Sequence, residues 1–390
     1  MGRDIVLFLG AGFSKDSGLP IMSEFGPQSR KDYEGLKQHT LEDNFKNAAP
    51  MLVEAAKAFY AFQDLCKLSP TLTSKDVDNL EKVFCIAESM NESGLVNIPL
   101  QGVLFKPDVL IQKIRLWIWK VFQQCPFLDN KRKEETNEKT YTDFFQVLEQ
   151  ARIWERTTVI TTNYDLIFEY KSSKSWKNEE ICAYPLKELH GSVKVINIQG
   201  KSTPSYVYVD QDNPKARCVL CKLHGSVNYF ENGSNSEDNT LYVSPNLGSG
   251  RIFWDKPAIF EIDAIWKIHQ EHGYLIPAIV PPTYAKLVRK PWLRSIWHQA
   301  FDSLKDAKTI IFVGYSMPET DGFMRALIHG AFAMGKRKDI RNIFVIDPSK
   351  KVHENYIKLF GDSYRDIGFH PLKCALEKNI LNDVLEVAIK

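Results

Sequence analysis

The chain opens on a five-residue apolar run, Ile5-Val6-Leu7-Phe8-Leu9, that passes directly into Gly10-Ala11-Gly12-Phe13-Ser14-Lys15. Bulky and β-branched residues favour an extended chain, and a run without polar alternation predicts a strand covered on both faces. The two glycines then let the backbone turn tightly before a segment that can open a helix. Strand, glycine turn and helix in this order form a Rossmann-type unit. There a bare backbone can approach a pyrophosphate, and the N–H groups that start the helix turn partial positive charge toward it. The glycine pattern is incomplete, because the third glycine of a full dinucleotide fingerprint would fall on Lys15 and the next glycine is Gly18. By itself the turn fits an ordinary glycine bend after a buried strand equally well.

The same plan recurs. Residues 157–162 are β-branched throughout, end at Asn163-Tyr164-Asp165, and precede a helix-compatible stretch at 166–170. Residues 219–223 lead to His224-Gly225-Ser226, residues 278–282 form another strand end, and Thr309–Val313 runs into Gly314-Tyr315-Ser316. A helical pattern through 323–328 precedes Asn342–Ile346, which ends at Asp347-Pro348. Continuous apolar strands that alternate with helices and each stop at a small or polar cluster predict an α/β fold, a Rossmann-like parallel sheet with helices on both faces. Ligands of such sheets bind beyond the carboxyl ends of the strands, where these clusters lie.

Between about residues 24 and 150 the period changes. Leu52, Ala55, Ala56, Phe59, Tyr60 and Phe62 recur at three- and four-residue steps, as do Val109, Ile111, Ile114, Trp117, Ile118 and Val121. These stripes predict an all-helical insertion whose Trp117/Trp119 segment faces an interior or an oligomer contact. The charged run at 130–139 reads as a loop that closes it. The division is 1–25 with 151–390 for the sheet-bearing domain and 26–150 for the insertion.

With 50 Lys and Arg against 48 Asp and Glu, no global field draws the chain to nucleic acid or to an anionic membrane; a basic groove would have to be assembled by folding. The clusters Lys131-Arg132-Lys133 and Lys336-Arg337-Lys338 are short enough to be solvated faces. Asp4 sits in the wrong place for a signal peptide, and no apolar run reaches the ~18 residues that span a bilayer, so a cytoplasmic protein is expected. Seven scattered cysteines form no disulfide framework. Cys218 and Cys221 make the one C-x-x-C, and without a second pair at zinc spacing they read as buried free thiols.

Gly10-Ala11-Gly12-Phe13-Ser14 with Ser17-Gly18-Leu19-Pro20, Thr162-Asn163-Tyr164-Asp165, Lys222-Leu223-His224-Gly225-Ser226 and the stretch from Gly314 to Asp321 resemble the ordered signature of the sirtuin-like NAD-binding superfamily. More narrowly they resemble its bacterial anti-phage defence branch of sirtuin-like NADases. The likeness covers both ends of the chain. Protein-deacylating sirtuins share the glycine turn and the Asn/Asp pair but carry a four-cysteine zinc module after the catalytic histidine. Here Cys374 alone follows His224, so no zinc is expected.

The resemblance implies NAD+ as substrate and cleavage to nicotinamide and ADP-ribose, or to a cyclised product. Departure of a neutral pyridine leaves a ribosyl oxocarbenium, so a protein has to bind, orient and exclude water while placing one nucleophile at the anomeric carbon. Asn163 can donate and accept at once, and His224 can serve as general base. By resemblance Gly10, Ala11, Gly12 and Ser14 bind the phosphates and nicotinamide ribose, with Asp165 supporting Asn163. Gly314 belongs to the same signature, Ser316 and Asp347 lie near the adenosine half, and Asp347 accepts from ribose hydroxyls. His190 repeats the Leu-His-Gly-Ser tetrapeptide of His224 and stays open as an alternative, although His224 ends an apolar strand and His190 follows a loop.

Because uncontrolled NAD+ loss kills the host, the resemblance also implies gating, by a homo-oligomer or by a partner such as a HerA-like DNA translocase ATPase or an argonaute-type protein. Two other readings stay open: a regulatory subunit that binds NAD or ADP-ribose without turnover, and an NAD-dependent deacylase.

Overall fold

A computed structural model describes residues 3–15, 17, 19–39, 49–123, 131–176, 181–186, 192–196, 205, 207–235, 238–245, 273–281, 290–318, 321–335, 340–361, 368–372 and 378–389. In chain order the strands are β1 Ile5–Leu9, β2 Ile98–Leu100, β3 Val103–Phe105, β4 Thr157–Thr161, β5 Ile181–Ala183, β6 Val193–Val195 and β7 Val207–Tyr208. They continue as β8 Ala216–Lys222, β9 Gly225–Asn232, β10 Leu241–Val243, β11 Leu275–Ile279, β12 Thr309–Val313, β13 Asn342–Ile346 and β14 Gly368–Leu372. The helices are α1 Ala11–Lys15, α2 Phe25–His39, α3 Ala49–Lys67, α4 Ser74–Asp78, α5 Leu80–Glu92, α6 Pro107–Gln123, α7 Lys131–Gln150 and α8 Ile167–Ser175. The later ones are α9 Pro291–Lys305, α10 Gly322–Met334, α11 Lys350–Phe360 and α12 Lys378–Ile389.

Eight strands form one sheet in the order β14-β13-β12-β1-β4-β8-β5-β7, and each pair in it is parallel. No residue of β1 is more than 1% exposed, so both faces of the central strand are covered, as its unbroken apolar run requires. Helix α9 packs across β1, β4 and β8, and its buried Trp292, Ile296, Trp297, Ala300 and Leu304 are the stripe that the helical period picks out. A second sheet, β11-β9-β10-β6, is mixed.

The register positions the site. Leu9 pairs with Val313 on one side and Thr161 on the other, and Val313 pairs with Ile346. Gly10, Thr162, Gly314 and Asp347 therefore leave the sheet at one level. The chain passes from β1 outward through β4 and later returns to β1's other side with β12, so the glycine turn stands at the topological switch point.

The segment between β1 and β4 is largely helical, with two departures from expectation. Residues 131–139 are not a loop but the first half of α7. Lys, Arg and Glu are good helix formers, no Gly or Pro interrupts 131–150, and the buried Tyr141, Phe144, Phe145 and Leu148 continue the helical period. The insertion is also not all helix, because β2 and β3 form a two-stranded ribbon. Gln101 and Gly102 join them with φ of 48° and 83°, the two positive values that a tight hairpin turn demands. Trp117 and Trp119 of α6 are fully buried, so that stripe is interior. Among the described residues no helix is long and apolar enough to cross a membrane.

Candidate functional site

At the level where the strands end, the turns of β1 and β12 are locked backbone to backbone. Gly10 N–H donates to Val313 O at 3.0 Å and Gly12 N–H to Gly314 O at 2.9 Å. A Cβ on Gly10 would lie 2.4 Å from Tyr315 Cα, and Gly314, at φ +60°, has Gly12 Cα 2.7 Å from where its own Cβ would be. The glycines are thus required by the meeting of two main chains, and Gly12's amide is spent on that meeting rather than held for a phosphate.

Asn163 is fastened to the same turn. Thr161 Oγ1 donates to Leu9 O at 2.9 Å and accepts from Asn163 N–H at 3.1 Å. The Asn163 amide then donates to Gly10 O at 2.9 Å and to Ser14 Oγ at 3.0 Å. Both amide hydrogens are engaged, so only the carbonyl oxygen is left to act toward a ligand, as an acceptor. The sequence reading gave Asn163 both roles; the fold has taken the donor.

These tips wall a cavity of about 540 Å³, a size ordinary for a small-molecule site. Ala11, Gly12, Asn163, Gly314, Ser316 and Asp347 line it. Gly10 and Ser14 stand behind Asn163 as its partners. Asp347 Oδ1 accepts from Ser349 N–H at 2.8 Å; burial raises its pKa above the usual carboxylate value, against the lowering effect of that bond and of His353.

Two predicted residues are elsewhere. Asp165 caps the start of α8, its carboxylate accepting from Ile167 N–H at 3.0 Å, while its carbonyl accepts from Lys222 Nζ. Lys222 and Glu169 form a buried pair at 3.1 Å, each 1% exposed, with Tyr184 O–H donating to Glu169 at 2.7 Å. His224 is 1% exposed and is not among the described residues of the cavity wall. Its ring stacks on Trp297 at 6.5 Å and stands 6.3 Å from Tyr164, one side chain behind Asn163. His190 and Gly18 lie outside the described residues.

The sequence reading missed the opposite wall, which the segment between β1 and β4 supplies: Ile21 to Ser23, Asn79, Glu81, Thr140 and Tyr141. Tyr141 O–H donates to Phe13 O, and its ring meets that of Phe13 edge-on at 5.2 Å. Asp321 and Tyr315 add a further buried pair on the wall, the phenol donating to the carboxylate at 2.7 Å while Asp321's other oxygen caps α10 through Met324 N–H at 3.2 Å. The loop between them is held down, Arg325 donating to Met317 O at 2.9 Å and Asn355 to Ser316 O at 3.0 Å. Asp321 was visible in the sequence as the end of the Gly314 stretch; Glu81 and Tyr141 sat in a helical period with nothing to mark them.

A SIR2-like domain model matches residues 157–365, from β4 to beyond α11, more than half of the chain. The chain belongs to the SIR2-like family. The match begins after β1, so the glycine turn joins the SIR2-like region through the sheet rather than through the matched segment. Solved structures with similarity include a complex of a Sir2 homologue with NAD, at 12% identity and a TM-score of 0.38, covering 98% of this chain and 88% of that one. A mutant Sir2 homologue bound to ADP-ribose is similar at 14% identity and a TM-score of 0.37, covering 98% and 91%. No curated protein gives a match. Cys218 and Cys221 are buried free thiols, the first pushed up to about 12 by burial, and among the described residues no cluster of His, Cys, Asp or Glu is placed to hold a metal.

Proposed function

We propose that this SIR2-like protein is an NAD+ glycohydrolase that cleaves NAD+ to nicotinamide and ADP-ribose in the cavity at the strand tips. The observation that carries the reading is Asn163 on the wall of a cavity at the switch point, its amide N–H groups taken by Gly10 O and Ser14 Oγ so that its carbonyl oxygen is the group left to accept from a ligand. An oriented acceptor beside the nicotinamide ribose would hold a water or a ribose hydroxyl in line with the anomeric carbon, and orientation of this kind is a large part of what such a reaction needs. Ala11, Gly12, Gly314 and Ser316 would present backbone and hydroxyl surface to the diphosphate, with Lys15 the cation of the described wall. Asp347 would accept from the adenosine ribose.

His224, expected to act as general base, stands behind Tyr164 and would act on the site through that ring, as a support for the Asn163 turn. The proposal keeps the division into a sheet-bearing domain of 1–25 with 151–390 and an insertion of 26–150; close packing of α3 and α5 on α6 supports it. It also keeps the biology that the motif set implies: NAD+ depletion in bacterial abortive infection, gated by homo-oligomer formation or by a partner such as a HerA-like DNA translocase ATPase. Exposed Leu95, Val96, Val103 and Leu104 on the ribbon and the loop before it are a surface that assembly could cover.

The test is chromatography of products from NAD+ incubated with the wild type and with Asn163→Ala, each alone and with the neighbouring gene's product. Release of nicotinamide and ADP-ribose by the wild type, reduced by about 100-fold or more in the variant, is the expected result. A wild type that binds ADP-ribose but yields no nicotinamide in either condition would instead be the non-hydrolytic regulatory subunit.

A further inference from the structure

We infer that Arg325 of α10 is a positioning residue for the nucleotide, holding the loop 314–318 in the form that receives the adenosine-diphosphate half; the inference rests on the NAD+-cleaving reading. This loop follows β12 and puts Gly314, Tyr315, Ser316 and Pro318 on the cavity wall. Its backbone is strained. Met317 lies at φ 47°, in the left-handed region that a side chain disfavours, three residues after Gly314 at φ 60°. A non-glycine residue persists there only where its surroundings over-determine it, and such residues gather at ligand clamps. Here every carbonyl of the loop is tied. Gly314 O accepts from Gly12 N–H at 2.9 Å, Tyr315 O from Tyr356 O–H at 3.0 Å and Ser316 O from Asn355 Nδ2 at 3.0 Å. Arg325 takes the last two, Nη2 donating to Met317 O at 2.9 Å and Nε to Pro318 O at 3.3 Å, with Asp321 N–H adding a bond to Pro318 O at 3.1 Å.

Arg325, Asn355 and Tyr356 stand on α10 and α11, and none of them is on the described cavity wall, so the carbonyls they hold are drawn away from it. A carbonyl oxygen turned inward would set its negative end against a diphosphate; tying it back removes that repulsion. Met317 is fully buried, which pins the strained residue by its side chain as Arg325 pins it by its carbonyl. The guanidinium reaches two successive carbonyls with one planar fork, a geometry that the single ammonium of a lysine cannot copy. Without the fork the strain at Met317 would relax, and the fraction of protein whose loop has the receiving form would fall. Apparent affinity for the nucleotide then falls by the same factor, while the bond that breaks, at the nicotinamide end, is untouched.

The experiment measures ADP-ribose binding by calorimetry, and KM and kcat for nicotinamide release from NAD+, in the wild type, Arg325→Ala, Arg325→Lys, Asn355→Ala and His329→Ala. The last is an exposed control one turn along α10. A receiving form cut to about a tenth of its wild-type population predicts an ADP-ribose Kd and a KM about 10-fold higher in Arg325→Ala, with kcat within about 3-fold. Arg325→Lys should recover part of that loss, Asn355→Ala should raise both constants about 3-fold, and His329→Ala should match the wild type. Wild-type affinity in a folded Arg325→Ala protein overturns the assignment alone, as does wild-type affinity in both Arg325→Lys and Asn355→Ala where Arg325→Ala does not fold. A fall in kcat at unchanged KM, which a smaller folded fraction gives, overturns it too. A wild type that binds ADP-ribose but releases no nicotinamide overturns the hydrolase reading and leaves the affinities to judge Arg325. One that binds no ADP-ribose overturns both.

Discussion

The two walls of the cavity are built by different means. The sheet wall is backbone against backbone: the turns after β1 and β12 interlock through Gly10, Gly12 and Gly314, with no space for a side chain between them. The helical wall is a set of side chains, and its α5 part is tied at Glu88 to a buried ion cluster. There Arg115 of α6 bridges Glu88 of α5 and Glu231 of β9, at 3.2 and 3.3 Å, while Lys290 and Trp292 reach Glu231 at 2.7 and 3.0 Å. The first wall can change only by breaking the sheet.

The sharpest way to separate the walls is to cut the cluster. Arg115→Met takes from buried Glu88 the arginine it pairs with and leaves buried Glu231 with Lys290, and removal of one partner from such a cluster costs roughly 3–5 kcal/mol. Thermal unfolding should show that loss, and the acid dependence should change with it. Burial alone would raise the pKa of Glu231, but Lys290 and then Arg115 hold it below its ordinary value of 4.5. A depressed carboxylate stabilises the fold above its unfolded pKa and loses that contribution as pH falls through the folded one, so the gap between wild type and variant should narrow on acidification below about pH 4.5. A gap that stays constant down to pH 3 would remove Arg115 from the account of Glu231.

The sheet wall is broken most directly by Gly10→Ala. A methyl group there would meet Tyr315 Cα at 2.4 Å and Gly314 O at 2.5 Å, main-chain atoms that cannot swing aside. Forcing it in should cost about 3 kcal/mol, read as a lowered urea midpoint, and should abolish ADP-ribose binding even where the protein still folds. Retained wild-type affinity in a folded Gly10→Ala protein would show that the turn and the ligand are separate.

Legibility divides along the same line. Ile5–Leu9, Thr309–Val313 and Asn342–Ile346 could be read residue for residue, because a both-faces-buried parallel strand is an unbroken apolar run and its end is marked by glycine or Asp-Pro. Asn163, Gly314 and Asp347 followed from being the next residues after such runs. Glu81 and Tyr141 could not be read that way. Each lies on a helix, where a polar residue beside an apolar stripe usually means solvent, and only the tertiary placement of α5 and α7 turns them toward the cavity. His224 does end a strand, but β8 lies one strand further from the switch point than β4, and its ring stands 6.5 Å from Trp297 and 6.3 Å from Tyr164. The charged stretch at 131–139 misled because charge density marks solvent contact and says nothing against helix.

A smaller effect sharpens the comparison within the sheet wall. Asp347→Asn removes the charge but keeps the shape, and the loss of a charge-assisted bond to a ribose hydroxyl should weaken ADP-ribose binding about 10-fold, or about 1.4 kcal/mol, by calorimetry. Nicotinamide release at saturating NAD+ should hardly change, since the reacting bond lies at the other end. An equal loss in rate would place Asp347 at the chemistry instead.

The central claim is that separate strand tips and the facing helical segment enclose one nucleotide. A crystal structure of the wild-type protein grown with ADP-ribose tests it most directly. The account predicts density running from the Asn163 and Gly12 turns past Gly314 to Asp347, with Tyr141 and Glu81 across from it. Ordered ADP-ribose elsewhere, with this cavity holding only water, would contradict it.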